Sequence, residues 1–187
     1  VDVPLILRAL NVPDTLYQYG AVYENTATGK RIATFRPTQG SDGWLSNLLA
    51  FKVNNEMACG NGHCGKVHEY WQKQAKKLTE DTAFYDALTM RNGSPLPDGD
   101  IVAHALSKGG AIAILVAMKM KADRGVTMDV TAYGSPMPCA DSQCVNWWTN
   151  SGIGLIRYQT NCGDQLDPTP DIPPTYPVSY THLTLPT

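Results

Sequence analysis

The sequence predicts an α/β domain with a mostly parallel central sheet and helices on both of its faces. Short runs rich in β-forming residues alternate with segments whose apolar residues recur at helical spacing, which is the order of βαβ units. One run, residues 101–106, is apolar apart from His104, as expected for a strand buried in a parallel sheet. A helical pattern begins almost directly after this run, so strand and helix are joined by a very short turn.

The first half of the chain is predicted to contain two strands and one long helix. Residues 17–24 and 31–35 have strand character and are joined by a turn around Thr28 and Gly29. Apolar residues at helical spacing predict a helix over residues 67–90, which the Asn-Gly-Ser-Pro sequence at 92–95 ends.

The second half repeats the strand and helix alternation. Gly125 is expected to end the helix that follows the 101–106 strand, because glycine breaks a helical pattern. The predicted elements are a strand at 101–106, a helix at 110–121, a strand at 128–133, a helix at 139–150, a strand at 154–160 and a proline-rich loop at 163–177.

Composition narrows the class of protein. The chain has 187 residues, of which 43% are hydrophobic and 17% charged, enough for one globular domain with its own core. A net charge of -2 gives no basic face, so we expect no nucleic-acid partner. No apolar run is long enough to span a bilayer, so we do not expect an integral membrane protein. Composition leaves the oligomeric state open.

The five cysteines predict an oxidising, extracytoplasmic setting, and we therefore expect a secreted protein. Cys59 and Cys64 close a glycine-rich loop that suits a short disulfide. Zinc bound by these thiolates with His63 and His68 is the alternative, but the spacing matches no common zinc pattern. Cys139 and Cys144 are a second candidate pair. No stretch of the given sequence has the pattern of a signal peptide. Because the sequence starts at Val1 without a methionine, this absence does not argue against secretion.

Ser107 has the surroundings of a serine nucleophile on a strand-to-helix turn. Small residues stand two before and two after it, Ala105 and Gly109, where larger side chains would collide as the backbone reverses. The helix that follows directs its N-terminal N–H groups toward the hydroxyl, where an oxyanion would form. His104, three residues earlier on the strand, is expected to be a core or sheet-face histidine and not a catalytic base.

Five stretches in order resemble the motifs of class 3 (fungal-type) lipases. They are Phe-Arg-Pro-Thr at 35–38 followed by Trp44 and Asn-Leu at 47–48; Val-His at 67–68 followed by Tyr-Trp at 70–71; Ala-Leu-Ser-Lys-Gly-Gly-Ala at 105–111; Tyr-Gly-Ser-Pro at 133–136; and Asp-Pro-Thr-Pro-Asp-Ile-Pro-Pro at 167–174. The resemblance implies an α/β-hydrolase fold and hydrolysis of carboxylic esters through an acyl-enzyme, without a cofactor or metal.

The positions of residues within these motifs imply which role each would have in this family. The resemblance implies that Ser107 is the nucleophile and that Asp167 orients the catalytic histidine, with Asp164 as the second choice of acid. Thr38 and the backbone N–H of Lys108 would form the oxyanion hole. Residues 39–47, with Trp44, match the family's lid, so we expect a lipid or other ester substrate at a lipid–water interface.

Four positions depart from the family motifs. Ala105, Leu106 and Lys108 replace Gly, His and Leu around the nucleophile, which predicts altered packing or substrate preference. Pro37 replaces a glycine, fixes φ and removes an N–H directly before the expected oxyanion residue. These departures keep a catalytically inactive, lipase-like binding protein as an alternative, and feruloyl esterase and phospholipase as alternative enzymes.

The catalytic histidine has no match in the chain. The order Ser, Asp, His requires a histidine after Asp167, and only His182 follows it. Residues 178–187 resemble a translated transposon-type sequencing adapter, so we expect residues 1–177 to be a partial lipase-like domain and the tail to be non-native. The chain is then a fragment that lacks the catalytic histidine and is itself inactive.

Overall fold

A computed structural model describes residues 7–9, 20–37, 51–59, 64–158, 161–162 and 165–166. Within these ranges the strands are β1 Leu7–Ala9, β2 Gly20–Asn25, β3 Arg31–Phe35, β4 Lys52–Asn54, β5 Lys66–His68, β6 Met90–Arg91, β7 Ser94–Pro95, β8 Ile101–Leu106, β9 Asp129–Tyr133, β10 Leu155–Tyr158, β11 Asn161–Cys162 and β12 Gln165–Leu166. The helices are α1 Glu69–Glu80, α2 Thr82–Thr89, α3 Lys108–Arg124 and α4 Ser142–Asn150.

The central sheet has six strands in the order β1-β2-β3-β8-β9-β10. Strands β3, β8, β9 and β10 are mutually parallel, whereas β2 is antiparallel to both of its neighbours. This arrangement confirms the predicted α/β class with a mostly parallel sheet. The carboxyl ends of the four parallel strands lie at one edge, where α/β proteins build their sites.

Helix α3 forms the centre of the core. Every residue from Lys108 to Met118 is buried, because the sheet covers one side of the helix and α1 packs against it as well. The sheet meets α3 with small side chains, since Ala33, Ala103 and Ala132 are each fully buried. Alanine at these points allows a close approach between helix and sheet.

The opposite face of the sheet carries several exposed side chains. Leu106 is 55% exposed and Ile156 is 44% exposed, and His104 lies on this face as well. His104 is therefore a sheet-face histidine and not a core one.

No helix in the part of the chain that the structure describes is long and apolar enough to cross a bilayer.

The single helix predicted over residues 67–90 is wrong, because the structure has two helices there. Asp81 adopts an extended backbone conformation between α1 and α2, and its carboxylate accepts a hydrogen bond from the N–H of Phe84 at 2.8 Å. An aspartate that caps a new helix is more stable outside the helix interior. The first predicted helical residues, 67 and 68, belong to β5 instead.

The proline-rich segment also contains structure that the sequence did not indicate. β11 and β12 form a two-stranded sheet, and β12 lies within the predicted loop at 163–177. The remaining residues of that loop and the tail at 178–187 lie outside the described residues.

Two disulfides lie beside the start of α1. Cys59 is joined to Cys64 and Cys139 to Cys144, with Cα–Cα distances of 5.7 and 5.4 Å. The first disulfide uses Cys59 and Cys64, the two cysteines that would have to be thiolate ligands in the alternative zinc site. The second holds residues that pair with β5, since Ala140 donates its N–H to the Lys66 carbonyl at 2.8 Å. Strand β5 leads directly into α1, so the disulfides constrain where that helix begins.

Gly65 is required at the contact between these segments. Its φ is +81°, and a Cβ added to it would overlap with the backbone nitrogen of Cys144 and the carboxylate of Asp141. That carboxylate caps α4 by accepting a hydrogen bond from the Cys144 N–H at 2.9 Å. Gly93 has a nearly identical φ of +80°, but a Cβ added there would have no atom within 4 Å.

We expect Gly65→Ala to destabilise the protein more than Gly93→Ala. Both substitutions place alanine in the left-handed region, which costs about 1–2 kcal/mol, and only the first adds a steric overlap worth about 1–3 kcal/mol. Urea denaturation of the two variants measures the difference. Equal losses of stability would show that the contact at Gly65 relaxes freely.

Candidate active site

Ser107 lies at the carboxyl edge of the sheet, between the end of β8 and the start of α3. Its φ of +53° and ψ of -131° are unfavourable for a residue with a side chain, and Asn92 is the other non-glycine residue with positive φ among those described. Backbone strain of this kind costs about 1–3 kcal/mol and persists where surrounding contacts enforce it. The Ser107 N–H donates to the Tyr133 carbonyl at 2.8 Å, and the Ser107 carbonyl accepts from the Gly110 N–H at 2.9 Å.

The glycines after Ser107 allow α3 to begin directly against the sheet. A Cβ at Gly109 would overlap with the Phe35 carbonyl and lie 3.1 Å from the Arg36 carbonyl oxygen. A Cβ at Gly110 would overlap with the side chain of Ser135, which follows β9. The turn at Ser107 is therefore clamped between the carboxyl ends of the strands on either side of β8.

Among the described residues, no hydrogen bond uses the Ser107 hydroxyl to stabilise the fold. Ser107 occupies the N-cap position of α3, but its side chain makes no capping hydrogen bond. Among the described residues it has no other hydrogen-bond partner either. The hydroxyl stands beside the first turn of α3, whose N–H groups lack intrahelical partners. Such a hydroxyl can approach an electrophile, and the nearby N–H groups can stabilise a negative charge.

Several residues singled out from the sequence lie outside the described residues. These are Thr38, Trp44, His63, Asp164, Asp167 and His182. The segment that leads to Thr38 is described as far as Pro37. Because the carbonyls of Phe35 and Arg36 contact Gly109, this segment runs past the start of α3.

Neither described histidine is paired with Ser107. His68 is buried, stacks on Trp71 with ring centres 4.0 Å apart, and donates its backbone N–H to the Pro138 carbonyl at 3.1 Å. His104 is exposed on the sheet face, three residues before the turn. The described residues thus bring the serine and the helix N-terminus together but not the acid and base.

Lys108 is buried beside Ser107, which sequence reasoning missed because lysine is rarely buried. Its relative exposure is 8%, and its Nζ lies 5.7 Å from the centre of the Tyr70 ring. Within the described part of the chain, no carboxylate forms an ion pair with it. Burial lowers the pKa of the Lys108 ammonium, since the charged form loses hydration.

A second buried cation supports the loop behind the turn. Arg157 of β10 is 7% exposed and donates a hydrogen bond to the Ser135 carbonyl. Ser135 in turn packs against Gly110. The arginine therefore holds in place the loop that contacts the first turn of α3. Its role depends on a contact between residues 22 positions apart, which the sequence pattern does not reveal.

We expect Lys108→Met to stabilise the protein at neutral pH, because it removes a charged group that loses part of its hydration on folding. The lysine has a lower pKa in the folded state than its ordinary value of 10.5. Wild-type stability should therefore rise between the two pKa values as pH increases, and the variant should lack this rise. Urea denaturation at several pH values measures both effects.

The control for this prediction is Lys119→Met on the same helix. Lys119 is paired with Asp123 at 3.1 Å and its side chain is 30% exposed. Its replacement should leave the pH dependence near that of the wild type. A Lys108→Met variant that is less stable than the wild type at neutral pH would contradict the prediction.

Comparison with known proteins agrees with this geometry. The sequence model described as lipase (class 3) matches residues 32–176. No curated protein matches the chain in sequence. Among solved structures, the chain is similar to the native Rhizomucor miehei lipase propeptide complex, with a TM-score of 0.63, 16% identity, and coverage of 90% of this chain and 52% of the other.

Two further structures show the same fold. A fungal lipase–inhibitor complex, described as a model for interfacial activation, has a TM-score of 0.66 and 18% identity over 90% of this chain and 61% of its own. The Lip2 lipase from Yarrowia lipolytica has a TM-score of 0.61 and 17% identity over 96% of this chain and 64% of its own. The chain thus spans about half to two thirds of the length of these structures. With the family model matching most of its residues, the chain belongs to the class 3 lipase family, which has the α/β-hydrolase fold.

Proposed function

We propose that the protein is a carboxylic ester hydrolase of the triacylglycerol lipase or esterase type, with Ser107 as its nucleophile. The observation that carries the proposal is the strained backbone of Ser107 at the start of α3. Its side chain makes no capping hydrogen bond to that helix. A fold that holds this backbone conformation, with no partner for the hydroxyl among the described residues, retains strain that a structural serine would not need.

In the proposed mechanism, the Ser107 oxygen attacks the ester carbonyl carbon while its proton passes to a histidine. The tetrahedral oxyanion accepts hydrogen bonds from the backbone N–H of Lys108 and from Thr38. Collapse expels the alcohol, which takes the proton from the histidine, and leaves an acyl-enzyme. Water then attacks the acyl group in the same way and releases the carboxylic acid.

The acid and base of this mechanism are assigned from the family motifs. Asp167 would orient the histidine and stabilise its protonated form, as its position in the Asp-Pro motif implies. The base would come from sequence that follows residue 177 in the natural protein, because His182 lies in the adapter-like tail. Without a base the Ser107 hydroxyl is a weak nucleophile, so the present chain alone should be inactive.

Secretion and action at a lipid surface belong to the same proposal. Two disulfides close to one another favour an oxidising compartment. One similar structure is described in terms of interfacial activation, and residues 39–47 with Trp44 occupy the position of a lid in the family motif. A lid with an apolar side would meet a lipid–water interface when it opens.

A lipase-like binding protein without activity is the second candidate. Pro37 is the observation in its favour, because it stands directly before Thr38 and has no N–H to donate. If the proline displaces Thr38, the oxyanion loses a donor, which typically costs about 2.7–4 kcal/mol in the transition state. Feruloyl esterase and phospholipase remain alternative activities within the hydrolase proposal.

We expect a fluorophosphonate probe to label Ser107 in an extended protein, in which the natural sequence continues after residue 177. The reason is that an activated serine attacks the probe. Ser107→Ala should abolish labelling and reduce ester turnover on the order of 10⁴-fold or more. Ser94→Ala, at an exposed serine of β7, should label like the wild type. Mass spectrometry of the labelled peptide and hydrolysis of triolein, phosphatidylcholine and methyl ferulate measure these outcomes.

The chain of 187 residues is the second test. It should turn over esters no faster than its own Ser107→Ala variant. Turnover at the rate of the extended protein would contradict the assignment of the base. An extended protein that folds but shows neither labelling nor hydrolysis would support the binding-protein alternative.

A further inference from the structure

The hairpin formed by β6 and β7 presents an exposed asparagine at its tip. The ladder between the two strands leaves Asn92 and Gly93 as a two-residue turn, and both residues are exposed. Their φ values of +51° and +80° have the signs expected for the type I′ turn that commonly closes hairpins. Asparagine and glycine adopt positive φ readily, so the turn by itself accounts for these two residues.

Ser94 adds a feature that the turn does not require. It is exposed in β7, and its hydroxyl makes no hydrogen bond to another described residue. Serine is also not among the residues that strands favour. Together with the turn it completes Asn-Gly-Ser at 92–94, the sole Asn-x-Ser/Thr triplet in the 187 residues. This triplet is the acceptor sequence for N-linked glycosylation.

The surroundings of Asn92 have room for a bulky group. Its side-chain amide makes no hydrogen bond within the described part of the chain. A Cβ added at the adjacent Gly93 would have no atom within 4 Å. A carbohydrate attached to the tip of this turn would therefore displace no packed side chain.

The hairpin is held on the body of the domain, although its tip is open. The Arg91 guanidinium donates a hydrogen bond to the Gly29 carbonyl and is paired with Asp100 at 3.3 Å. Directly after β7, the Leu96 N–H donates to the Thr89 carbonyl at 2.8 Å. Both strands are thus anchored, and the turn points in a fixed direction relative to the sheet.

The hairpin and the candidate active site lie at opposite ends of β8. Asp100, to which Arg91 is bound, directly precedes this strand, whereas Ser107 directly follows it. A strand of six residues is about 20 Å long. A carbohydrate on Asn92 would project from the amino edge of the sheet and would leave the approach to Ser107 unobstructed.

We propose that Asn92 is an N-glycosylation site, which receives an oligosaccharide when the chain passes through a eukaryotic secretory pathway. The inference rests on the proposed function in one respect, because only a secreted chain meets the transferase. The two disulfides are expected to form in the same compartment.

The donor of this reaction is a lipid-linked oligosaccharide pyrophosphate. The Asn92 Nδ2 atom forms a bond to the anomeric carbon of the first sugar and loses a proton. The bond from that carbon to the pyrophosphate oxygen breaks, and the lipid pyrophosphate leaves.

Pro95 limits how completely the site is used. Proline restricts the residue before it to extended conformations, and this restriction applies to Ser94 in the unfolded chain that the transferase binds. We therefore expect a part of the molecules to carry the oligosaccharide, and Pro95→Ala should raise the occupied fraction.

The extended protein, secreted from a eukaryotic host cell behind a signal peptide, tests the proposal. Its mass is measured before and after digestion with a peptide N-glycosidase, which releases the oligosaccharide and converts the acceptor asparagine to aspartate. Digestion in heavy-oxygen water marks the peptide that carried the oligosaccharide for mass spectrometry. A sample without the enzyme corrects for spontaneous deamidation of the Asn-Gly sequence.

The variants separate the acceptor from its context. Asn92→Asp should lose the oligosaccharide and keep the fold, because aspartate also tolerates positive φ. Ser94→Ala should lose it although Asn92 is retained, whereas Ser94→Thr should keep it. Asn150→Gln is the matched control at an exposed asparagine outside any acceptor triplet, and it should be glycosylated like the wild type.

Two results would overturn the proposal. One is a wild type whose Asn92 peptide carries no oligosaccharide, either in the medium or in the membrane-enclosed fraction of the cells. The other is an oligosaccharide that persists on this peptide in Ser94→Ala, since this would show a different linkage. These readouts do not depend on catalysis, so hydrolysis of triolein by the same preparation tests the proposed function separately.

Discussion

The close approach of the α3 N-terminus to the carboxyl edge of the sheet is the constraint on which the rest of the structure depends. The helix can begin there only because Gly109 and Gly110 lack side chains where Phe35 and Ser135 approach. The same approach forces the strained backbone of Ser107 and brings the N–H groups of α3 next to its hydroxyl. The geometry that packs the core is thus also the geometry that exposes the serine.

The burial of α3 has a consequence for charge. A helix covered by both the sheet and α1 should carry apolar residues throughout, and from Gly109 to Met118 it does. Lys108 interrupts this rule at the end of the helix that reaches the candidate site. Burial of its side chain lowers the pKa of the Lys108 ammonium, because the charged form loses hydration there.

The position of α1 beside Lys108 depends on contacts that are distant in sequence. Residues around Cys139 pair with β5 and are held by the disulfide to Cys144, while Gly65 allows the cap of α4 to lie directly against this segment. These contacts fix where β5 ends and α1 begins. They therefore decide that Tyr70 of α1 faces Lys108 of α3.

The sequence by itself determined the α/β class, the β8 strand, the end of α3 at Gly125 and the identity of Ser107 as the candidate nucleophile. These follow from local patterns, because small residues around a serine and the spacing of apolar residues restrict the backbone directly. The break between α1 and α2 was missed because aspartate is compatible with a helix pattern until its capping contact is known. Only the tertiary structure decided that Lys108 is buried, that Arg157 supports the Ser135 loop and that His104 lies on an exposed sheet face. Burial and pairing are properties of the space between elements, and that space forms only when residues far apart in the chain pack together.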